Sequence, residues 1–317
     1  MLRYRVALMI WLFMLLGAAR NGAIDAPEWR LLWAVLVLAC AYVAATTVND
    51  VVDRDIDRVN HPNDPGRPLV AGTATESQLW AVHGTAAVLA LATAVPLGPP
   101  AILIVVLSLL IGWVYSLPPL VLSHRAYLAP GALAIAYVVL PYALGVHVAP
   151  GSWTADDAPF VAALVLLFAA RITLKDFRDR EGDARYGKPT LLLRFGKTVT
   201  CAVSLLLLVG GNVLLVAALR PPWTVVFVLE AVVAGIVSRL VVLWTSTDLR
   251  AEQVAIGLGA RLGNGLLILV LGWLALSAHG APMPDRVVFV VTAALIFGGT
   301  FAVLATRPDR AVLGYKG

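Results

Sequence analysis

Apolar runs alternate with short polar stretches along the whole chain. The runs cover Val6–Ala19, Leu31–Val48, Leu79–Leu97, Ala101–Leu117, Leu128–Val148 and Pro159–Leu174. After a long polar interruption they resume over Val199–Leu219, Trp223–Trp244, Val254–Ala278 and Val287–Ala305. A helix that crosses a bilayer needs about 20 apolar residues, with a lower limit of about 17. Several of these ten runs sit at that limit, and together they predict an all-α polytopic membrane helix bundle. The first run follows Arg3 and Arg5 and is trailed by small residues, as a secretory signal peptide would be. We read it as a retained first helix, because polytopic proteins often start this way.

Composition agrees with a membrane protein. Of 317 residues, 60% are hydrophobic and 14% are charged, which does not describe a soluble domain. The net charge of +5 would suggest anionic partners in a soluble chain; here it reports basic loops, and nucleic acid is not an expected partner. With the N-terminus in the cytoplasm, the outer loops hold only Arg20, Arg30, Arg220 and Arg286. Arg239 lies within a run, and the remainder of the 24 Lys and Arg residues fall inside. That is a strong positive-inside bias. Cys40 and Cys201 both lie in apolar runs and read as small core residues. The alanine- and valine-rich composition points to a bacterial plasma membrane.

Two polar stretches stand out. Asp50, Asp53 and Asp57, at the end of the second run, are spaced i, i+3 and i+7. On a helix they fall within roughly 60° of one another and form one acidic stripe about 10 Å long. Asp55 points elsewhere. Asp176, Asp179 and Asp183 repeat the spacing after the sixth run, which hints at a weak internal repeat of four helices. Both stripes fall on the cytoplasmic side. They belong to cytoplasmic cap loops at about 51–77 and 176–197 of a single membrane domain spanning 1–317. The first loop is dense in turn formers, from Asn60 to Gly72, and Thr73 with Glu76 fits a capping box that opens the next helix.

Acids at a helix C-terminus oppose the macrodipole, so two matched stripes are a poor choice for stability alone. A purely structural role would pair them with Arg54, Arg58, Arg178 and Arg180 as solvated helix ends. The functional reading is a pair of hard divalent cations, most consistent with magnesium, bound by Asp50, Asp53, Asp57, Asp176, Asp179 and Asp183. Arg67, Lys175, Arg178 and Lys188 would then neutralise phosphate charge that the metals leave uncovered. Acids and bases around a dianionic group, at the mouth of an apolar bundle, suit a lipid diphosphate. A transporter or lipid-binding scaffold is the rival class; a transporter would need its ionisable residues near the midplane. Glu230 lies near mid-helix and is read as protonated, paired with a neighbouring helix or used in acceptor recognition. His83, Asn212 and Asn264 read as interhelical hydrogen-bond residues.

These residues carry a family resemblance. NDVVDRDID (49–57) resembles the NDxxDxxxD signature of the UbiA superfamily of intramembrane prenyltransferases, and KDFRDREGD (175–183) resembles its second acidic motif. GRPLVAG (66–72), GKPTLLLRFG (187–196) and VYSLPPL (114–120) resemble further stretches of that family, in the expected order. The resemblance implies nine helices rather than ten, magnesium as cofactor, and a polyprenyl diphosphate donor with an acceptor still to be identified. It implies that Asn49, Arg67, Lys175, Arg178 and Lys188 contact the diphosphate and that Tyr115 and Ser116 line the reaction chamber. It also implies ionisation of an allylic diphosphate and capture of the cation by the acceptor. A terpene cyclase of the same superfamily, in which the substrate's own alkene captures the cation, is the alternative. One departure is specific: relatives often carry lysines after the Pro-Pro-Leu turn, where this chain has Val121 and Ser123, with His124 and Arg125 as the nearest basic groups.

Overall fold

The computed structural model describes residues 4–22, 29–62 and 64–306, and every regular element among them is helical. Helices α1 (Tyr4–Arg20), α2 (Trp29–Val52), α3 (Arg54–Asn60), α4 (Glu76–Ala94) and α5 (Pro99–Ser116) come first. A span over Leu128–Val148 follows, made of α6 (Leu128–Ala134), a π-helical turn (Ile135–Val139) and α7 (Leu140–Val148). Helix α8 (Asp157–Ile172) continues through a 3-10 turn (Thr173–Lys175) into α9 (Asp176–Arg185). The chain ends with α10 (Leu191–Leu219), α11 (Trp223–Thr245), α12 (Leu249–Ala278) and α13 (Met283–Ala305). Among the described residues nine helical spans are long and apolar enough to cross a membrane, and Val6–Arg20 is a shorter apolar helix. The protein is an integral membrane helix bundle. Large apolar side chains such as Leu206, Phe227 and Leu295 are exposed, as a lipid-facing surface requires.

Local chemistry sets the helix ends. Gly98, at φ 98°, turns the chain, and Pro99 and Pro100 open α5, where a missing N–H costs nothing. Gly196, at φ 79°, interrupts α10 near its start. The capping box before α4 differs from the expected one. Thr75, not Thr73, is the N-cap: its hydroxyl accepts from the Gln78 N–H at 3.3 Å, and Gln78 Oε1 accepts from the Thr75 N–H at 2.8 Å. Glu76 lies in the first turn, where it complements the dipole and sits 3.7 Å from Arg54.

The chain forms two compact units. The first runs to Trp153 and also takes in Asp179–Arg194. Its core is built by α1, α2, α4, α5 and α7, with Met14, Val37, Ala90, Ala101 and Leu144 almost wholly enclosed. Helices α1 and α7 meet backbone to backbone. A Cβ on Gly145 would lie 1.9 Å from the Met14 carbonyl oxygen, and one on Gly17 would lie 2.3 Å from that of Tyr142. The buried His83 ring is paired on both sides: it bonds the Ala44 carbonyl at 2.9 Å through Nδ1 and accepts from Trp113 Nε1 at 3.1 Å.

The second unit comprises Thr154–Arg178 and the chain from Phe195 onward. Its helices are joined by polar pairs, as expected where lipid offers no hydrogen bonds. Arg171 donates to Asn264 at 2.6 Å, and Lys197 donates to Glu252 at 2.5 Å. Asn212 donates to Glu230 at 2.8 Å, so the mid-helix carboxyl is paired with a neighbouring helix.

The α1–α7 contact yields a stability test. Gly145→Ala should destabilise the detergent-solubilised protein by about 1–3 kcal/mol through overpacking. Gly131→Ala, where an added Cβ meets nothing within 4 Å, should leave the melting temperature unchanged or raise it.

Candidate active site

The first acidic stripe survives a bend in its helix. Asp53, at φ −86° and ψ 11°, separates α2 from α3. The hydrogen-bond ladder nevertheless continues, from the Asp53 N–H to the Asn49 carbonyl and from the Asp57 N–H to the Asp53 carbonyl, both at 2.8 Å. Asp50, Asp53 and Asp57 therefore stay on one face, and all three are buried. Asp55 is solvent-facing and pairs with Arg54 and Arg58. Those two arginines are thus committed elsewhere and do not neutralise the stripe.

Its counter-charges come from farther along the chain. Arg67 Nη1 lies 3.1 Å from Asp50 and also bonds Asp57. The loop that carries Arg67 is folded by Asp64, whose Oδ1 accepts from the Gly66 N–H at 2.7 Å and whose carbonyl accepts from the Arg67 N–H at 3.0 Å. Lys188 reaches Asp53 at 3.3 Å and Asp183 at 3.9 Å, after a turn at Gly187 with φ 65°. Asn49 donates to Asp53, within its own motif, at 2.8 Å. Each buried carboxylate would cost several kcal/mol unpaired, so this cluster persists because Arg67 and Lys188 offset it.

Within the first unit, Asp183 joins the cluster and Asp179 meets His61, just past the first stripe. The His61 ring lies 3.2 Å from Asp179, and Lys188 links Asp183 to the first stripe. Lys175, Asp176 and Arg178 belong to the second unit, on the same continuous span Asp157–Arg185. Tyr115 is half-buried, and Ser116 is buried with no hydrogen-bond partner for its Oγ; the same holds for Ser123. His124, next to Ser123, feels both Lys188 and Asp53. Burial, then the Lys188 ammonium, lowers its pKa below the ordinary 6.5 against an opposing pull from Asp53. His124 therefore lies within electrostatic reach of the cluster.

The sequence matches the UbiA prenyltransferase family over residues 7–258. The chain belongs to that family. It is 28% identical over 218 residues to the bacteriochlorophyll synthase 33 kDa chain of Cereibacter sphaeroides, covering 66% of this chain and 69% of the relative. It is 32% identical over 234 residues to homogentisate phytyltransferase of Synechocystis sp., covering 70% and 72%. Its fold resembles that of a UbiA homologue from Archaeoglobus fulgidus solved with DMAPP and Mg2+, at a TM-score of 0.56 and 17% identity over 97% of both chains.

For a UbiA protein, the donor set suits a hard cation: carboxylate oxygens, with no thiolate in the cluster. Among the described residues no three His, Cys, Asp or Glu side chains stand as a ready-made metal cage. Sequence reasoning missed Asn60, His61 and Asp64. Only Asp64 had a local signal, the Asp-Pro-Gly turn just before Arg67.

Two measurements follow from this electrostatic arrangement. Arg67→Met should lower stability in metal-free buffer by about 3–5 kcal/mol, and Mn2+ should restore more of it than in the unmodified protein. Unchanged melting in chelator would mean that Arg67 does not neutralise the cluster. As pH falls below about 6.5, the unfolded chain binds a proton at residue 124 before the folded chain does, so stability is lost there. His124→Asn should accordingly lose less stability on acidification than the unmodified protein, read from melts at matched pH.

Proposed function

We propose that this protein transfers a prenyl group from a polyprenyl diphosphate to a small or lipid acceptor within the membrane, with magnesium as cofactor. The observation that carries this reading is the buried cluster in which Lys188 bridges Asp53 of the first motif and Asp183 of the second, while Arg67 bridges Asp50 and Asp57.

Asp50, Asp53, Asp57, Asp179 and Asp183 are the ligands the first unit offers to magnesium, and motif spacing assigns Asp176 with them. When bound, the metal stabilises negative charge developing on the leaving diphosphate. Arg67 and Lys188 take the phosphate oxygens that the metal leaves uncovered, and Lys175, Arg178 and Asn49 complete the contacts. The bond between the prenyl C1 and its bridging oxygen breaks, and its electron pair leaves with the diphosphate. The acceptor then forms a bond to C1 and loses a proton. Tyr115 and Ser116 flank this step, and the apolar helices keep water from quenching the allylic cation. The relatives are named for bacteriochlorophyll and homogentisate chemistry, which supports a family site served by different acceptors. The basic-loop asymmetry supports a cytoplasmic position for both motifs.

The test is diphosphate release from purified protein with geranylgeranyl diphosphate and magnesium, with and without a membrane extract as acceptor source. Release that needs both magnesium and the extract, and falls at least about 100-fold in Asp53→Ala and Asp179→Ala, is the expected result. A cyclic hydrocarbon formed without acceptor would replace the transferase by a cyclase. Full activity in both variants would remove these carboxylates from the reaction.

A further inference from the structure

We propose that Asn60 and His61 are positioning residues that set the register of the second acidic motif against the first. This rests on reading the two motifs as one metal–diphosphate site. Helix α3 ends at Asn60, one turn beyond Asp57. There the Asn60 Oδ1 accepts from the Gly182 backbone N–H at 2.7 Å. Gly182 lies inside α9, where an amide ordinarily bonds only the carbonyl four residues back. A side chain just past one motif therefore bonds the backbone of the other.

Two further contacts make this a clamp. A Cβ on Gly182 would lie 2.7 Å from Asn60 Nδ2 and 2.7 Å from the Ile56 carbonyl oxygen, so glycine is what permits the approach. The adjacent His61 places Nε2 3.2 Å from Asp179 Oδ1, while its own N–H is held by the Asp57 carbonyl at 2.7 Å. The residues that follow the last acid of the first stripe thus grip the middle acid of the second and the glycine just before its last acid, Asp183.

The clamp differs in kind from the Lys188 bridge between Asp53 and Asp183. Lys188 is an ion pair that an incoming diphosphate competes for. The Asn60 bond joins an uncharged side-chain amide to a backbone N–H and carries no charge for an incoming diphosphate to neutralise. Catalytic metal pairs sit about 3.5–4 Å apart, which makes the spacing of their carboxylates a tight requirement. Residues that orient ligands in this way typically contribute 10–100-fold in metal affinity.

The test uses full-length protein in detergent and Mn2+ with inorganic pyrophosphate, read by electron paramagnetic resonance alongside melting curves. Asn60→Leu and Gly182→Ala should weaken Mn2+ binding by about 10-fold or more. Asn60→Asp keeps the acceptor oxygen and should rescue binding to within about threefold of the unmodified protein. His61→Ala should show a smaller loss in the same direction, and serves if Asn60→Leu does not fold. Unchanged Mn2+ binding in Gly182→Ala and His61→Ala, with binding lost in Asp53→Ala, would overturn the clamp and leave the site standing. Unchanged binding in Asp53→Ala as well would overturn the site and the clamp with it. A loss in Asn60→Asp as large as in Asn60→Leu would also overturn the clamp, since the shared oxygen would then not matter.

Discussion

Carboxylates buried at the ends of membrane helices are stable only while something neutralises them, and that constraint organises the polar half of this protein. Asp50, Asp53 and Asp57 are each less than 8% exposed. The nearest basic residues in sequence, Arg54 and Arg58, turn outward to Asp55 and cannot serve. The counter-charges must therefore be delivered by folding. Arg67 arrives on a loop held by the Asp64 turn, and Lys188 arrives on the segment that follows the second motif. Both cap loops do the same thing: each returns a cation to a stripe of acids.

The remainder of each unit supplies what such a cluster needs. In the first, the backbone contact of α1 with α7 and the alanine-rich core beside α2 fix the helix on which the first stripe rides. In the second, Arg171–Asn264, Lys197–Glu252 and Asn212–Glu230 tie helices together without placing an unpaired charge in lipid. An apolar surround also makes every ion pair in the cluster stronger than it would be in water.

Most of the fold is legible in the amino-acid order because membrane spans are defined by length and apolarity alone, which need no partner to be recognised. Val287–Ala305 and Trp223–Trp244, for example, lie within α13 and α11 almost residue for residue. The acidic stripes are legible for a similar reason, since i, i+3, i+7 is a local spacing and the bend at Asp53 does not disturb it. Choices between equivalent local signals are not legible. Thr73 with Glu76 and Thr75 with Gln78 both fit a capping box, and the backbone at Thr75 decides between them. Long-range pairings are hidden as well. Nothing near Asp53 indicates Lys188, 135 residues away, or that Asn60 meets Gly182. Nor does anything around Glu230 indicate that Asn212, 18 residues earlier, pairs with it.

The central claim is that carboxylates of both motifs hold one metal–diphosphate group. Its most direct test is a crystal of the protein with Mn2+ and an unreactive geranyl thiolodiphosphate, examined by anomalous scattering. The account predicts manganese at ordinary carboxylate coordination distance, about 2.0–2.3 Å, from Asp53 and from Asp179 or Asp183, with Arg67 moved from the carboxylates onto phosphate oxygen. Manganese bound elsewhere, with Arg67 still on Asp50 and Asp57 beneath a bound diphosphate, would contradict it.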